Sequence, residues 1–423
     1  MRRFFLVFAL LSLSACWTDL DGESDSSEDA IVRQGASAKR VAAGYEHTCA
    51  IVAEGAVKCW GDNSKGQLGD GTTVSSIHPV DVLVAPNGPP LKGATAIYAG
   101  WFDTCAILDA GKAVCWGDNA ERQMGYADTS AQMRLSPYPL SGSWDSATQR
   151  SLPVSGVKSL AINERETCGI FMDNSVRCWD QGLPSAPGAN QAGFESTTGT
   201  AVAIGSDHGC ARTVDGNVVC WGENDDLQLG VSGLQRGIGQ VTTAQGGVVE
   251  GVTDIAVGRA HTCALLAGGR IRCWGANVSG QLGDGMSLRS NMDEVLVAPG
   301  GAPITGATAI FASGERSCAL FKHNKLLCWG SFNLGSSTPI TSPTNVIDTS
   351  LTGLSALTMG DGHTCAVTRG GVVQCWGVNS AGQLGSATPL GEDASSETRI
   401  PRPVTFADGK KVFMAAAEAA VPQ

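Results

Sequence analysis

Fourteen of the fifteen cysteines in this chain form seven pairs with one constant spacing, and this repeat constrains the fold more than any other feature. The two members of a pair are ten residues apart, and a tryptophan directly follows the second member every time. The pairs are Cys49 with Cys59, Cys105 with Cys115, Cys168 with Cys178, Cys210 with Cys220, Cys263 with Cys273, Cys318 with Cys328, and Cys365 with Cys375. Such a pattern predicts seven copies of one supersecondary unit.

Each cysteine pair fits the geometry of a β-hairpin. If the two cysteines are directly opposed on antiparallel strands, the strands are joined by a three-residue loop whose last residue commonly adopts the left-handed conformation. The residues at that place are all glycine or asparagine: Gly55, Gly111, Asn174, Gly216, Gly269, Asn324 and Gly371. Opposed residues at non-hydrogen-bonded sites have Cα atoms about 4.5 Å apart, a separation that a disulfide accepts. We therefore expect each pair to bridge its own hairpin.

Three further elements recur around each hairpin. A strand of small residues precedes it, as in Ala96-Ile97-Tyr98-Ala99, and a glycine-rich loop and a fourth strand follow, as in Pro79-Val80-Asp81-Val82. Four short strands per unit, repeated seven times, predict an all-β fold, a seven-bladed β-propeller. Residues 40–43 or a strand at 411–417 could complete the blade that closes the ring, and the sequence leaves this choice open.

The N-terminus has the features of an export signal. Arg2 and Arg3 precede a short apolar stretch, and residues 13–16 (Leu-Ser-Ala-Cys) resemble the lipobox of bacterial lipoproteins, in which the cysteine carries the lipid. Cys16 is also the one unpaired cysteine. We expect a signal peptide at 1–15, a flexible acidic tether at 16–37, lipidation of Cys16 and the propeller at 38–423. Ordinary signal cleavage without lipidation is the alternative.

The cysteine spacing is also compatible with two other roles. A zinc site would use the histidines that stand two residues before a cysteine, namely His47, His208, His261 and His363. The equivalent places in the other units hold Asp103, Glu166 and Arg316, and arginine is not a zinc ligand, so no metal or cofactor is expected. Reduced cysteines packed as small apolar residues would suit a cytosolic protein, whereas the export signal favours disulfides.

The motifs around the cysteines resemble those of a known family. Gly44-Tyr45-Glu46-His47-Thr48-Cys49, Cys59-Trp60-Gly61-Asp62-Asn63 and Gly66-Gln67-Leu68-Gly69 are similar to repeats of the regulator of chromosome condensation family, and the resemblance covers about residues 38 to 417. The third unit departs most, since Asp180 follows its tryptophan and no Gly-Gln-Leu-Gly element appears, so an irregular third blade is expected. The resemblance implies a propeller. The founder's guanine-nucleotide exchange activity and chromatin binding are not expected here.

The charge of the chain argues against a nucleic-acid partner. Its 29 basic residues stand against 40 acidic ones, giving a formal net charge of −11, whereas nucleic-acid binding requires a basic surface. No catalytic motif is present, and Asp62, Asp70 and Asp284 lack the spacing of a calcium loop, so turn stabilisation is their expected role. The repeated histidines are expected to brace the strand-to-hairpin corners, and the seven repeated tryptophans to pack between blades.

Together these features predict an exported, non-enzymatic protein that is anchored in the outer membrane or at the cell surface through lipid on Cys16. It would act as a protein-binding or scaffold module with an unknown protein partner in or beyond the cell envelope. Trp101, Tyr138 and Trp144 break the repeat pattern and are the candidate binding residues; the last two fall in the longest insertion, at about 126–157. The alternative is an envelope enzyme or inhibitor that works through one propeller face.

Overall fold

The computed structural model describes residues 41–125, 132–145, 150–179, 198–243, 246–332, 340–344, 353–368, 370–386 and 398–412. The expected signal peptide, the tether and Cys16 lie outside this part of the chain. Within it, the structure contains no apolar helix of membrane-spanning length.

The chain forms a seven-bladed β-propeller, as the sequence predicts. In chain order, the strands are β1–β4 (Val41–Ala43, His47–Ile51, Val57–Gly61, Ser76–Asp81), β5–β8 (Ala94–Ala99, Asp103–Leu108, Lys112–Asp118, Met133–Pro139), an inserted hairpin β9–β10 (Ser141–Asp145, Arg150–Pro153), β11–β13 (Val157–Ile162, Thr167–Phe171, Val176–Trp179), β14–β17 (Gly199–Ile204, His208–Thr213, Val218–Glu223, Arg236–Gln240), β18–β21 (Val252–Val257, His261–Leu266, Ile271–Gly275, Ser290–Glu294), β22–β25 (Ala307–Ser313, Arg316–Phe321, Leu326–Gly330, Ile340–Thr344) and β26–β29 (Leu354–Met359, His363–Thr368, Val373–Gly377, Thr398–Pro403). Consecutive strands of each blade pair antiparallel. Three single 3-10 turns, Ala53–Gly55, Asp109–Gly111 and Lys322–Asn324, lie in hairpin loops.

The cysteines face each other across the second and third strands of every blade, in the same strand register throughout. All seven pairs are disulfide-bonded, with Cα atoms 4.0 to 4.1 Å apart. The bonds join Cys49 to Cys59, Cys105 to Cys115, Cys168 to Cys178, Cys210 to Cys220, Cys263 to Cys273, Cys318 to Cys328, and Cys365 to Cys375. Because disulfides persist in oxidising compartments, this set indicates an extracytoplasmic environment.

The hairpin loops confirm the predicted left-handed residues and correct the turn type. All seven glycine or asparagine positions have positive φ. In four loops, the preceding residue has positive φ as well: Glu54, Ala110, Gly268 and His323 have φ of 60°, 61°, 82° and 58°. The expectation of a type I turn before a single left-handed residue is therefore wrong for these loops. Two consecutive left-handed residues match the right-handed twist of the paired strands, and this favours them in hairpins.

The hydrophobic core lies between the blades. Each of seven buried clusters combines residues of two neighbouring blades, so every junction around the ring has its own core. The repeated tryptophans belong to these clusters and are between 0 and 6% exposed, which confirms their role in packing: Trp60, Trp116, Trp179, Trp221, Trp274, Trp329 and Trp376. A propeller of this kind gains its stability by stacking neighbours, because a single blade cannot bury both of its faces.

The ring closes without a blade shared between the two termini in the described residues. β1 is the first strand of blade one, and β29 is the fourth strand of blade seven. The closure instead joins two complete blades side by side, through their common core and a hydrogen bond of 3.2 Å from the Ala43 amide to Thr358 Oγ1. The last described residues follow blade seven and contain an isolated β-bridge between Thr405 and Lys411.

Candidate functional site

The corners between the first and second strands surround one end of the central channel, which we call the channel mouth. They comprise residues 44–46, 100–102, 163–165, 205–207, 258–260, 313–315 and 360–362. All seven corners contribute to the lining of a channel cavity of about 120 Å³, together with small residues of the first strands. The middle residues of the corners are chemically diverse: Tyr45, Trp101, Glu164, Ser206, Arg259, Gly314 and Asp361.

An aromatic ledge, made of Tyr45, Trp101 and Phe102, occupies one side of the channel mouth. The rings of Tyr45 and Trp101 are stacked, with centroids 5.2 Å apart and planes 26° apart. Phe102 packs against both, with centroid distances of 5.7 and 6.5 Å. All three side chains are only partly buried, so the ledge presents ring surface to solvent. Partly exposed aromatic groups of this kind are the usual anchors of binding surfaces.

A second cavity of about 380 Å³ adjoins the ledge and shares Tyr45 with the channel lining. We call it the corner cavity. Its charged lining residues are Glu46, Arg259, Glu315, Arg316 and Asp361. Three of these are carboxylates and two are guanidiniums, so the lining carries a surplus of acid when all are ionised.

Burial and neighbouring charges raise the pKa of two groups in the corner cavity. Burial raises the pKa of Asp361, and the neighbouring Glu315 raises it further, whereas Arg316 and Arg259 oppose the shift. The pKa of Tyr45 is also raised, first by burial and then by the charges of Asp361 and Glu46, against a smaller effect of Arg259. Apart from desolvation, the net influence at the Tyr45 hydroxyl is therefore that of negative charge.

The repeated histidines form a hydrogen-bonded unit between blades, which we call the interblade bridge. In the junction of blades one and two, His47 Nε2 lies 2.9 Å from Thr104 Oγ1. The Thr104 hydroxyl donates to the carbonyl of Gln67 at 3.0 Å, and Trp116 Nε1 donates to the same carbonyl at 2.9 Å. Since the hydroxyl has a single proton and gives it to the carbonyl, His47 Nε2 must be the donor toward the hydroxyl.

The same bridge occurs at three other junctions. His208, His261 and His363 lie 2.7 to 2.9 Å from Thr262, Ser317 and Thr48, respectively. These hydroxyls and the tryptophans beside them donate to the carbonyls of Gln228, Gln281 and Gln383. The Gln of the glycine-rich loop thus joins each blade to the next through its backbone oxygen.

The bridge histidines are structural, as the sequence predicts. Burial lowers the pKa of His47 to about 4 and the pKa of His208, His261 and His363 to about 3, so all four are neutral near pH 7. His261 and Ser317 have the separation of a catalytic base and nucleophile, 2.8 Å. Both are fully buried and the serine proton is engaged with Gln281, so the pair is not arranged for nucleophilic catalysis.

The three junctions without a histidine differ from one another. Asp103 is buried, and neither of its carboxylate oxygens has a hydrogen-bond partner; the hydroxyl of the facing Thr167 also lacks one. Glu166 accepts a hydrogen bond of 3.2 Å from Trp221 Nε1 and so replaces the carbonyl of the missing glutamine loop. Arg316 donates to the carbonyl of Gly360. The irregularity predicted for the third unit therefore affects the junctions on both of its sides.

The acidic loops stabilise turns through an asparagine amide. Asn63 Nδ2 donates to Asp70 Oδ1 at 3.1 Å and to the carbonyls of Thr72 and Val74. Asn277 makes the equivalent bond to Asp284. A donor group occupies the centre of these oxygens, where a calcium ion would need to lie. Among the described residues, the one group with metal-ligand spacing contains Glu166 and the disulfide-bonded Cys168 and Cys178, whose sulfurs are not free thiolates.

The three candidate binding residues do not form one site. Trp101 is part of the aromatic ledge. Tyr138 lies on β8, the outermost strand of blade two, where the guanidinium of Arg134 is 4.0 Å from its ring centroid. Trp144 lies on β9 of the inserted hairpin. Tyr45, Phe102 and Asp361 were not among the residues predicted from the sequence, although all three lie in the repeated corners, and Tyr45 and Asp361 share the middle position with Trp101.

Comparisons with known proteins identify the repeat. The model of the regulator of chromosome condensation (RCC1) repeat matches residues 38–67, 94–123, 200–228, 252–281 and 355–383, and a second model of the same repeat matches residues 54–107. The chain carries regulator of chromosome condensation repeats. This confirms the resemblance seen in the sequence, and repeat propellers of this family commonly serve as binding or regulatory scaffolds.

Curated relatives share these repeats at modest identity. The ultraviolet-B receptor UVR8 of Arabidopsis thaliana is 27% identical over 62% of this chain and 58% of its own length. The human E3 ubiquitin-protein ligase HERC2 is 28% identical over 58% of this chain and 5% of its own length. The bovine secretion-regulating guanine nucleotide exchange factor is 24% identical over 67% of this chain and 64% of its own length. The chain thus spans less than two thirds of these relatives.

Solved structures support the fold. The crystal structure of Prp20p from Saccharomyces cerevisiae, described together with its binding to Gsp1p and histones, has a TM-score of 0.64 at 18% identity and covers 90% of this chain and 89% of that one. Yeast RCC1 (Prp20) bound to Kap60 also gives 0.64, at 17% identity, with 96% and 92% coverage. At such low identity, these likenesses establish the propeller and carry no residue role to this chain.

Proposed function

We propose that this protein is an exported, lipid-anchored propeller that binds a protein partner of the cell envelope at its channel mouth. The observation that carries this proposal is the aromatic ledge, because stacked rings are partly exposed at a place where the other blades carry polar or small residues. Anchors of this kind contribute disproportionately to protein–protein affinity. The module acts by binding, and we assign it no guanine-nucleotide exchange activity and no nucleic-acid partner.

Two features support the location. The seven disulfides require an oxidising compartment for their formation. The Leu-Ser-Ala-Cys segment at 13–16 has the form of a lipobox, and it accounts for the cysteine that has no partner in the repeat. We propose that lipid on Cys16 holds the domain at the outer membrane or cell surface, with the acidic tether between them.

The anchor can be tested by metabolic labelling with a fatty-acid analogue. The wild-type chain should incorporate the label, and Cys16→Ser should not. Intact mass under non-reducing conditions should be about fourteen hydrogens lower than after reduction in both proteins, as expected for seven disulfides. A label that persists on the Cys16→Ser protein would refute lipidation at this residue.

The binding surface can be tested by site-specific photocrosslinking in cells. A benzophenone amino acid replaces Trp101 at the channel mouth in one protein and Tyr138 on the outer strand β8 in a matched control. We expect a discrete crosslinked adduct from position 101 and none of the same mass from position 138. Adducts from position 138 alone would move the binding surface to the blade perimeter.

The alternative of an envelope enzyme finds no support in the described residues. No three acidic side chains there bring their oxygens within 4.8 Å of one another, and the neutral bridge histidines are buried beneath the corner residues. An inhibitor that acts through one propeller face would use the same surface as the proposed binder, so the crosslinked partner distinguishes the two.

A further inference from the structure

The corner cavity owes its opening to a missing side chain. Gly314 stands at the corner position that holds Tyr45 in blade one and Arg259 in blade five. It has a φ of 55°, and a Cβ built on it would lie 2.5 Å from Asp361 Oδ1. The carboxylate of Asp361 therefore occupies the space of an absent side chain and lines a cavity of about 380 Å³ beside the ring of Tyr45.

The carboxylates of the corner cavity have no ion-pair partner among the described residues. Glu46 accepts a hydrogen bond of 2.7 Å from Ser380 Oγ, and Glu315 accepts one of 2.5 Å from Ser279 Oγ. Neither these two nor Asp361 lies within 4.0 Å of a cationic nitrogen in the described part of the chain. Hydroxyl donors orient Glu46 and Glu315, and the charges of Arg316 and Arg259 act on Asp361 without a direct ion pair.

The guanidiniums nearby are placed differently. Arg316 is 4% exposed, donates to the carbonyl of Gly360 and lies 5.4 Å from the ring centroid of Phe332, so it is held in place by the protein although its charge also acts on Asp361. Arg259 is exposed at the rim of the cavity. A ligand that enters the cavity therefore meets carboxylates inside and one exposed cation at the edge.

The ring surfaces of the aromatic ledge complete this environment. Tyr45 belongs both to the stacked pair with Trp101 and to the wall of the corner cavity. The face of an aromatic ring carries negative electrostatic potential and attracts ammonium and guanidinium groups. Ring faces and carboxylates thus favour the same ligand chemistry on two adjacent sides of one opening.

We propose that the corner cavity receives a cationic side chain, a lysine ammonium or an arginine guanidinium, presented by the protein partner, with the carboxylate of Asp361 and the ring of Tyr45 as its contacts. Trp101 stacks on Tyr45 and therefore reports occupancy of the cavity without lining it. This inference rests on the proposed binding function and specifies the chemistry of the partner. It also gives Arg259 a definite role as a competing cation that weakens the interaction.

The proposal can be tested with short peptides and the purified full chain. The probes are the capped peptides Gly-Gly-Lys-Gly-Gly and Gly-Gly-Glu-Gly-Gly, and the readout is fluorine NMR of 5-fluorotryptophan-labelled protein, with the Trp101 resonance assigned through Trp101→Phe. The lysine peptide should shift the Trp101 resonance in a saturable way. The glutamate peptide should not shift it at equal concentration.

Three variants measured with the lysine peptide separate this site from general charge attraction. Asp361→Asn should weaken binding by roughly three- to tenfold at most, in the range of one lost ion pair. Arg259→Gln should tighten it, because the competing cation is gone. Glu54→Gln is the matched control: it also removes one acidic charge, but from an exposed hairpin loop at the opposite end of the blade.

Two results would overturn the inference. One is equal weakening by Asp361→Asn and Glu54→Gln, which would mean that the net charge of the chain alone attracts the peptide. The other is a preference of the Trp101 resonance for the glutamate peptide. In either case, an adduct from position 101 in the crosslinking experiment would still support binding at the channel mouth, so the two proposals fail separately.

Discussion

The junction between blades four and five and the junctions on either side of blade three solve the same packing problem with different chemistry. In the former, Thr262 and Trp274 donate to the carbonyl of Gln228, and His208 binds the Thr262 hydroxyl. Beside blade three, Trp221 binds the carboxylate of Glu166, and the hydroxyl position of the neighbouring hairpin is Gly209. The difference teaches that a carboxylate can replace the loop carbonyl as the acceptor for the tryptophan. At this junction, the glutamine loop and the hydroxyl that would bind it are both missing.

The largest expected effect is on the pH dependence of stability. It comes from the junctions that contain a bridge histidine and not from the other junctions. A histidine whose folded pKa is depressed contributes its full stability above its unfolded value of about 6.5, and this is lost as pH falls toward the folded value of about 3 to 4. With four such groups, stability should fall steeply below pH 6. Each His→Gln substitution should lessen the slope by about 1.4 kcal/mol per pH unit.

Urea unfolding at pH 7, 6, 5 and 4 measures this effect. His261→Gln should unfold at lower urea at pH 7 but lose less stability on acidification. The exposed His323, on a hairpin loop, provides the control, since His323→Gln should leave the slope unchanged. An unchanged slope for His261→Gln would show that the bridge histidines are not the groups that bind protons on unfolding.

Restoring a side chain at Gly209 should destabilise blade four. A Cβ at this position would lie 2.5 and 2.6 Å from two ring carbons of Trp221, which is nearly fully buried. Overpacking of this kind costs about 1 to 3 kcal/mol. We expect Gly209→Ala to lower stability by this amount in urea unfolding, whereas Gly370→Ala, with no backbone atom near and no positive φ, should not. A neutral Gly209→Ala would show that Trp221 can move without cost.

Replacing a hydroxyl should destabilise the protein at a bridged junction but not at an unbridged one. Thr262→Val leaves His208 Nε2 without an acceptor and removes one donor from the Gln228 carbonyl, so it should cost about 1 to 3 kcal/mol. Thr167→Val removes a buried hydroxyl that has no partner and should be neutral or slightly stabilising. Thermal unfolding of the two variants compares them directly. Equal destabilisation would refute the interblade bridge as a source of stability.

The last of these predictions concerns the buried carboxyl of Asp103. Its pKa is raised well above the usual value, first by burial and then by the charge of Asp118, which itself has Lys65 at 3.9 Å. A carboxyl with a raised folded pKa binds more protons in the native state, so its contribution to stability falls as pH rises above about 4. Asp103→Asn should therefore gain stability relative to wild type as pH increases from 4 to 8. A constant difference across this range would contradict the assignment.

Most of the fold could be predicted because its signals are local. Cys49 and Cys59 are ten residues apart, and Gly55 between them supplies the left-handed loop residue, so hairpin, register and disulfide follow from one short segment. The ring closure could not be predicted in the same way. The choice between the two terminal strands depends on how blade seven meets blade one, and the contact of His363 with Thr48 joins residues that are 315 positions apart.

The candidate site was predicted only in part. Trp101 was found because it breaks the repeat, whereas Tyr138 and Trp144 broke it equally and lie elsewhere. Tyr45 and Asp361 had one sequence signal, the corner position that they share with Trp101, because a single tyrosine or aspartate in a turn is common in any chain. Their direct contact with one cavity arises when the ring brings blade seven against blade one.

The sequence by itself determined the number of blades, the pairing within each hairpin, the left-handed loop residues and the inter-blade role of the tryptophans. These properties depend on interactions within one repeat or on its regular recurrence. The tertiary structure decided which hydroxyl each histidine binds, how Glu166 replaces a missing loop, and that Gly314 opens a cavity beside Tyr45. The physical reason is that these contacts join separate blades, and only the closed ring brings those surfaces together.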